Sequence, residues 1–412
     1  MPRSGLASWN SQAITFESHV LTRKGLTMTS VLRPLRPRDP HQHERASTQL
    51  ELLFDLVIVI AIASLTAAFH HALTAGHGLE MLPNFLFLFL AIWWVWMTFT
   101  WFASAFDNDD PLYRVVVLLI MVGALIFAGC IGNIFQRLNF GAGVVGWVIM
   151  RIGMVALWLR AAINTPHLRK TCLRYAGGLV LAQVLWVVMS LNTPPGTPAF
   201  LILGLCIFIV EWSVPVFAET AGRTPWHRGH IMERFGLLTI IVLGEALLSI
   251  ALTFGAIYDG SFDMALVRIG LASLIVVFSL WWIYFAETQH LTADDLKRTF
   301  LWAYGHVFLF ISISLLGAGF AAYFDLATGH ADANATEIGW FVGGPIALAL
   351  TTLWVIRDRY MGLGLRAWAL PVGALAFLVA TYLQVPPLAY AALALTILIW
   401  RVPMTTSEGL HP

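Results

Sequence analysis

Between residues 50 and 401 the chain is a near-continuous series of apolar runs of 18 to 25 residues, divided by short polar breaks. A helix of that length covers about 30 Å of hydrocarbon. A barrel would need short segments of alternating polarity, and the sequence has none. In lipid every backbone polar group must find its partner within the protein, so runs of this kind fold as helices. Composition agrees. The chain is 58% hydrophobic and 11% charged, where a soluble domain carries about 25% charged residues. The fold class is an all-α polytopic membrane protein, and the pattern predicts about twelve spans. They fall near 50–70, 82–105, 112–134, 141–163, 173–191, 199–217, 232–254, 264–286, 300–323, 338–356, 366–383 and 386–400, with Pro386 and Pro387 leaving a very short last hairpin.

The net charge of +1 selects no partner, but the placement of the charges sets an orientation. With the N-terminus inside, 21 of the 24 Lys and Arg fall in cytoplasmic segments or at their edges. Arg137 lies in an outer loop, Arg268 near an outer helix end and Arg151 within a span. The positive-inside rule therefore places both termini in the cytoplasm and favours an even span count. Residues 1–45 read as a disordered basic tail, with Met28 as a second plausible start, and 403–412 as a short C-terminal tail. Cys130, Cys172 and Cys206 have no paired spacing, so neither a disulfide framework nor a zinc site is implied. No phosphate-binding loop, dinucleotide fingerprint or hydrolase motif stands in a suitable context. No cofactor is implied. The expected partners are membrane lipids and a small ion or solute, with no nucleic acid.

The chain repeats at an offset near 188 residues: Trp93-Trp94 matches Trp281-Trp282, and Asp109-Asp110 with Arg114 matches Asp294-Asp295 with Arg298. GALIFAG at 123–129 and SLLGAGF at 314–320 follow in the next spans. This predicts two parallel six-helix repeats, 46–220 and 221–402, related by an axis along the membrane normal.

Ionisable groups inside the spans need an explanation, because each is expensive in lipid and marks a site by default. Glu245 lies mid-way along an apolar run. It shares a helix stripe with Arg234, within about 20° but about 16 Å away. Gly236 and Gly244 would allow close helix approach nearby. Arg151 and Glu211 reach a similar depth, and a buried Arg151 paired with Glu211 or Glu245 is the expected central polar site. Arg favours such pairs because its fork binds a carboxylate at two points. Glu51 and Asp55 share one face at the start of the first span. With Asp107, Asp110, Arg114, Glu233, Arg234 and His306 they form an expected cytoplasmic network. Asp110 followed by Pro111 is also a helix-start signal. His70, His71 and His77 lie at the outer end of the first hairpin without a known ligand spacing. The tryptophans, including Trp93, Trp94, Trp96 and Trp101, read mainly as interface anchors.

Five segments in order carry a resemblance: ELLFDLVIVIAI (51–62), WWVWMTFTWFASAFDNDD with Tyr113 and Arg114, HIMERFGLLTIIVLGEALL from His230, SLWWIYFAE (279–287) and AYGHVFLF (303–310). Together they resemble the bacterial low temperature requirement protein A family over about residues 45 to 400. Ala105 stands where that pattern has a basic residue, and Leu53 departs from its ELFFDL form. The resemblance implies an integral inner-membrane protein linked to growth in the cold, and names no substrate. The leading expectation is secondary transport or ion permeation. The alternatives are an intramembrane or lipid-modifying enzyme using Glu51, Asp55, Asp107, Glu233 and His306 at the cytoplasmic interface, or a structural or sensing protein whose charges serve only as ion pairs.

Overall fold

The computed structural model describes residues 34, 35, 37–39, 46–106, 109–257, 263–286 and 296–402. Among them the chain forms twelve α-helices and no strand. They are α1 (Gln49–Thr74), α2 (Gly78–Phe106), α3 (Pro111–Arg137), α4 (Gly143–Asn164), α5 (Arg169–Asn192), α6 (Pro198–Glu219), α7 (Arg228–Ile257), α8 (Met264–Phe285), α9 (Leu296–Ala327), α10 (Ala335–Ile356), α11 (Ala369–Tyr382) and α12 (Pro387–Arg401). Each expected span holds one helix. Eleven helical segments are long and apolar enough to cross a membrane, α11 when taken with the 3-10 turn before it (Gly364–Tyr382, 19 residues), and α12, at 15 residues, is a shorter apolar helix.

The helix ends follow local chemistry. Thr48 accepts from the Glu51 backbone N–H, and the Glu51 side chain accepts from the Thr48 N–H at 2.8 Å. Two orphan donors of α1 are thereby satisfied. Asp110, Thr197 and Asn334 cap α3, α6 and α10 through their side-chain oxygens, with Pro at the first position of α3 and α6. The turn from α1 to α2 passes through Gly76 at φ +78°, a left-handed conformation that glycine adopts without a side-chain clash.

Four helices make the centre: α1, α2, α7 and α9 pack on one another. Helix α9 is buried on almost every face and α2 on most, as expected for helices that are hydrophobic all round. From α1 a wing runs through α3, α4, α5 and α6, each packed on the next. From α9 a second wing runs through α10, α11 and α12 to α8. The outer faces of both wings expose Leu, Ile and Val, including Leu118, Leu125, Ile209 and Leu375. An apolar exterior of this kind suits hydrocarbon and would be a liability in water.

Two expectations are corrected. Trp93, Trp94, Trp96 and Trp101 are buried in the centre and are not interface anchors. Trp93 and Trp94 pack edge-on and tilted against Trp212 of α6 and Tyr304 of α9. Trp281 and Trp282, their sequence matches, stand on α8 and are about half exposed. The same dipeptide meets opposite surroundings because α2 is central and α8 is peripheral. Gly244 also faces open space and is not a point of close approach. The tight crossing of α7 and α9 is at Ala246, where a Cβ added to Gly317 would lie 2.9 Å from the Ala246 Cα.

The closest crossing in the first wing is α3 on α4. A Cβ at Gly146 would stand 2.4 Å from the Gly123 carbonyl oxygen, and one at Gly123 would stand 2.6 Å from that of Gly146. Backbone cannot yield as a flexible side chain can. Gly146→Ala should therefore cost about 1–3 kcal/mol by overpacking, seen as a lower midpoint of thermal unfolding in detergent. Gly129→Ala, with open space around it, should leave that midpoint unchanged or raise it.

Candidate functional site

At the N-terminal ends of α1 and α7 the chain gathers four ionisable side chains with almost no exposure: Glu51, Asp55, His230 and Arg234. Their arrangement follows from helical spacing. Glu51 and Asp55 are one turn apart on α1, and His230 and Arg234 are one turn apart on α7. Each pair therefore presents one face, and the two helices meet along those faces. Arg234 places Nη2 at 2.5 Å from Asp55 Oδ1 and Nη1 at 3.4 Å from Glu51 Oε1. His230 Nε2 lies 3.0 Å from Glu51 Oε1. Trp96 of α2 donates from Nε1 to Asp55 Oδ1 at 2.6 Å, and Arg234 donates to Thr100 Oγ1 at 3.4 Å. Glu233 stands at the margin, where its Oε1 accepts from the Ser47 backbone N–H at 3.1 Å. Three central helices are thus joined at one end by a single charged cluster.

Not every residue expected in this network belongs to it. Asp107 lies outside the described residues. Asp110 caps α3 by accepting from the Tyr113 N–H at 2.8 Å, and Arg160 of α4 grips both of its oxygens. Arg114 pairs with Asp109 in a two-point contact at 2.7 and 2.6 Å on the surface. Those hydrogen bonds hold the Asp109 carboxyl below the usual carboxylate range, so this loop contact is lost only as pH falls through that lowered value. His306 is also apart from the cluster. Its Nδ1 donates to the Trp302 carbonyl at 2.7 Å, which leaves Nε2 to accept from the Tyr284 hydroxyl at 3.2 Å. The Phe235 ring packs on it with 4.9 Å between ring centroids. Both ring nitrogens are engaged, Nδ1 within α9 and Nε2 across to α8.

The expected central site divides in two. Arg151 on α4 and Glu211 on α6 form a buried ion pair at 2.8 Å. Trp186 donates to the second Glu211 oxygen at 3.0 Å, and the Arg151 guanidinium lies 4.5 Å from the centre of the Trp147 ring. The cavity that Glu211 lines with Trp94, Trp101, Tyr175 and Phe300 is about 20 Å³, room for about one or two waters. Glu245 is elsewhere. It sits on α7, which packs on α9, α1, α8 and α2, whereas α4 packs mainly on α3 and α5. Depth alone suggested the pairing, and the lateral order of the helices forbids it. Glu245 is buried, and its Oε2 has no hydrogen-bond partner among the described residues.

Other charged contacts were not anticipated. Glu219 at the end of α6 accepts from Tyr175 at 2.8 Å, Thr224 Oγ1 at 2.6 Å and the Thr224 N–H at 2.9 Å. Asp358 holds Arg357 at 2.7 Å and Arg401 at 2.5 Å, which ties α10 to the end of α12. At the opposite end of the bundle His70 Nε2 lies 2.7 Å from Asp325 of α9. Among the described residues no group of three His, Cys, Asp or Glu side chains could hold a metal ion. His230 was the one cluster member missed. Its signal was the i, i+4 spacing to Arg234, which mirrors that of Glu51 to Asp55.

A family model described as bacterial low temperature requirement A protein matches residues 46–402. The chain belongs to the LtrA family. An uncharacterized protein of Rhizobium meliloti (strain 1021) is 25% identical over 324 residues, covering 74% of this chain and 76% of that protein. The segments that carry the LtrA resemblance are the ones that build the charged cluster. ELLFDLV supplies Glu51 and Asp55, WWVWMTFTW supplies Trp96 and Thr100, and HIMERFG supplies His230 and Arg234. Removing one partner leaves the other charge buried and uncompensated. Asp55→Ala or Arg234→Ala alone should each cost about 3–5 kcal/mol, and the double variant less than the sum. Equilibrium unfolding in mixed detergent measures both, and strict additivity would show that the two side chains do not interact.

Proposed function

We propose that this LtrA-family protein is a secondary transporter or ion-permeation protein of the bacterial inner membrane, with both termini cytoplasmic. The observation that carries this reading is Glu245, a carboxylate buried about 16 Å along α7 from Arg234, with an oxygen that no described side chain or backbone group satisfies. A charge left in that state is costly for a role in stability alone. It is intelligible as a group that meets a mobile partner. The bias of Lys and Arg to one side supports the orientation.

The two-repeat arrangement belongs to the same proposal. Neighbours recur six helices apart: α1 on α3 as α7 on α9, α3 on α4 as α9 on α10, and α4 on α5 as α10 on α11. Glu51 and Arg234 would then sit at matching ends of the two halves, where the buried cluster can act as a gate between them. An enzyme at the lipid interface has less support, because Glu51 and Asp55 are engaged by cations and His306 is not among them. A purely structural role fits the ion pairs Arg151–Glu211, Asp110–Arg160 and Asp358–Arg401, and does not account for Glu245, which has no such partner among the described residues.

In proteoliposomes, the wild-type protein should carry a flux of protons or alkali cations under an imposed gradient. Glu245→Gln should lower that flux at least about tenfold while keeping the folded, monodisperse state, since it removes a buried charge without breaking a contact. Full flux in Glu245→Gln, or none in the wild type across protons and alkali cations, would sink the proposal.

A further inference from the structure

Three buried polar atoms on three helices that pack on one another lack any hydrogen-bond partner among the described residues: Thr66 Oγ1 on α1, Glu245 Oε2 on α7 and Ser314 Oγ on α9. Helical register points them at one junction. Thr66 lies 11 residues after Asp55, and Glu245 lies 11 after Arg234. Each is therefore within about 20° of the stripe set by the Asp55–Arg234 ion pair, about 16 Å further along. Ser314 lies 11 residues before Asp325, and Thr66 one turn before His70. The His70–Asp325 contact at 2.7 Å faces those two stripes toward each other. Depth agrees as well. Ala246 meets Gly317 where α7 crosses α9, which sets Glu245 level with the turn that contains Ser314.

The two hydroxyls are unusual within this chain. Thr98, Thr239, Ser312 and Thr381 each donate to the carbonyl four residues earlier in their own helix. Thr66 and Ser314 make no such bond. A hydroxyl free of its own helix has its oxygen open to an external group. The set that results is one carboxylate and two neutral oxygens, with no cationic side chain in ion-pair contact with Glu245 among the described residues.

We propose that Thr66, Glu245 and Ser314 form a binding site for one dehydrated alkali-metal cation of about sodium size. This deepens the transport reading, and rests on it, by naming the class of substrate or coupling ion. Hard oxygen donors suit such an ion. A single carboxylate balances a single positive charge. A divalent ion would keep a net charge in a low-dielectric site, and an anion would be repelled by Glu245.

The test uses the purified full-length protein in detergent, in choline chloride, titrated with NaCl and, as controls, KCl and CaCl2. Sodium should raise the unfolding midpoint saturably, and radioactive sodium should bind with the same apparent Kd. Thr66→Val and Ser314→Ala should each weaken that Kd about tenfold, the equivalent of one lost ligand contact, and Glu245→Gln should abolish it. All three variants should match the wild-type midpoint in choline, which separates lost binding from lost folding. The site is wrong if no alkali cation stabilises the wild type, if Thr66→Val and Ser314→Ala bind as the wild type does, or if the midpoint follows pH alone, which would assign Glu245 to a proton. Sodium binding without flux in proteoliposomes would instead overturn the transport reading and leave the site standing. Proton flux without sodium binding would do the reverse.

Discussion

The contact between Asp55 and Arg234 organises the centre of this molecule. Both side chains are fully buried, and neither could be tolerated there alone. Together with Glu51 and His230 they bring the starts of α1 and α7 face to face, and Trp96 draws α2 into the same knot. In an apolar medium the ordinary hydrophobic drive between helices is absent, because lipid tails are as apolar as leucine. Directional polar contacts then carry much of the specificity. A pair of this kind favours one register, since sliding α7 by one turn would break the contact between Arg234 and Asp55.

Three further ion pairs join helices within the wings: Arg151 with Glu211, Arg160 with Asp110 and Arg401 with Asp358. These contacts act as struts between otherwise featureless apolar surfaces. The tight crossings at Gly123 and Gly146, and at Gly317 and Ala246, complement them by bringing backbones close enough for dispersion to act. Glu245, Thr66 and Ser314 belong to neither set. Glu245 Oε2, Thr66 Oγ1 and Ser314 Oγ are buried and have no hydrogen-bond partner among the described residues.

Much of the fold was legible in the chain. Span positions followed from run length, because the thickness of hydrocarbon sets the length of a helix. The start of α3 followed from Asp110 and Pro111, capping chemistry that acts over three residues. The pairing of Arg151 with Glu211 followed from matched depth and complementary charge. Depth gave an equally good case for Arg151 with Glu245, and that one failed, because depth is one coordinate and the lateral order of helices is another. The burial of Trp93 and Trp94 was hidden for the same reason. Amphipathic pattern separates inside from outside only when one face is polar, and a central helix in lipid is apolar on every face.

By itself, the sequence determined a helical polytopic membrane protein, the place of each span, the LtrA membership and the ionisable groups that needed partners. These depend on local quantities: run length, cap spacing and residue type along one helix. The tertiary structure alone decided that α2 and α9 are central and α8 peripheral. It also decided that His230 completes the Asp55–Arg234 cluster, that His306 is held by Tyr284, and that Glu245 Oε2 is buried with no hydrogen-bond partner among the described residues. Which helix lies beside which depends on contacts between residues far apart in the chain, and no short-range pattern encodes them.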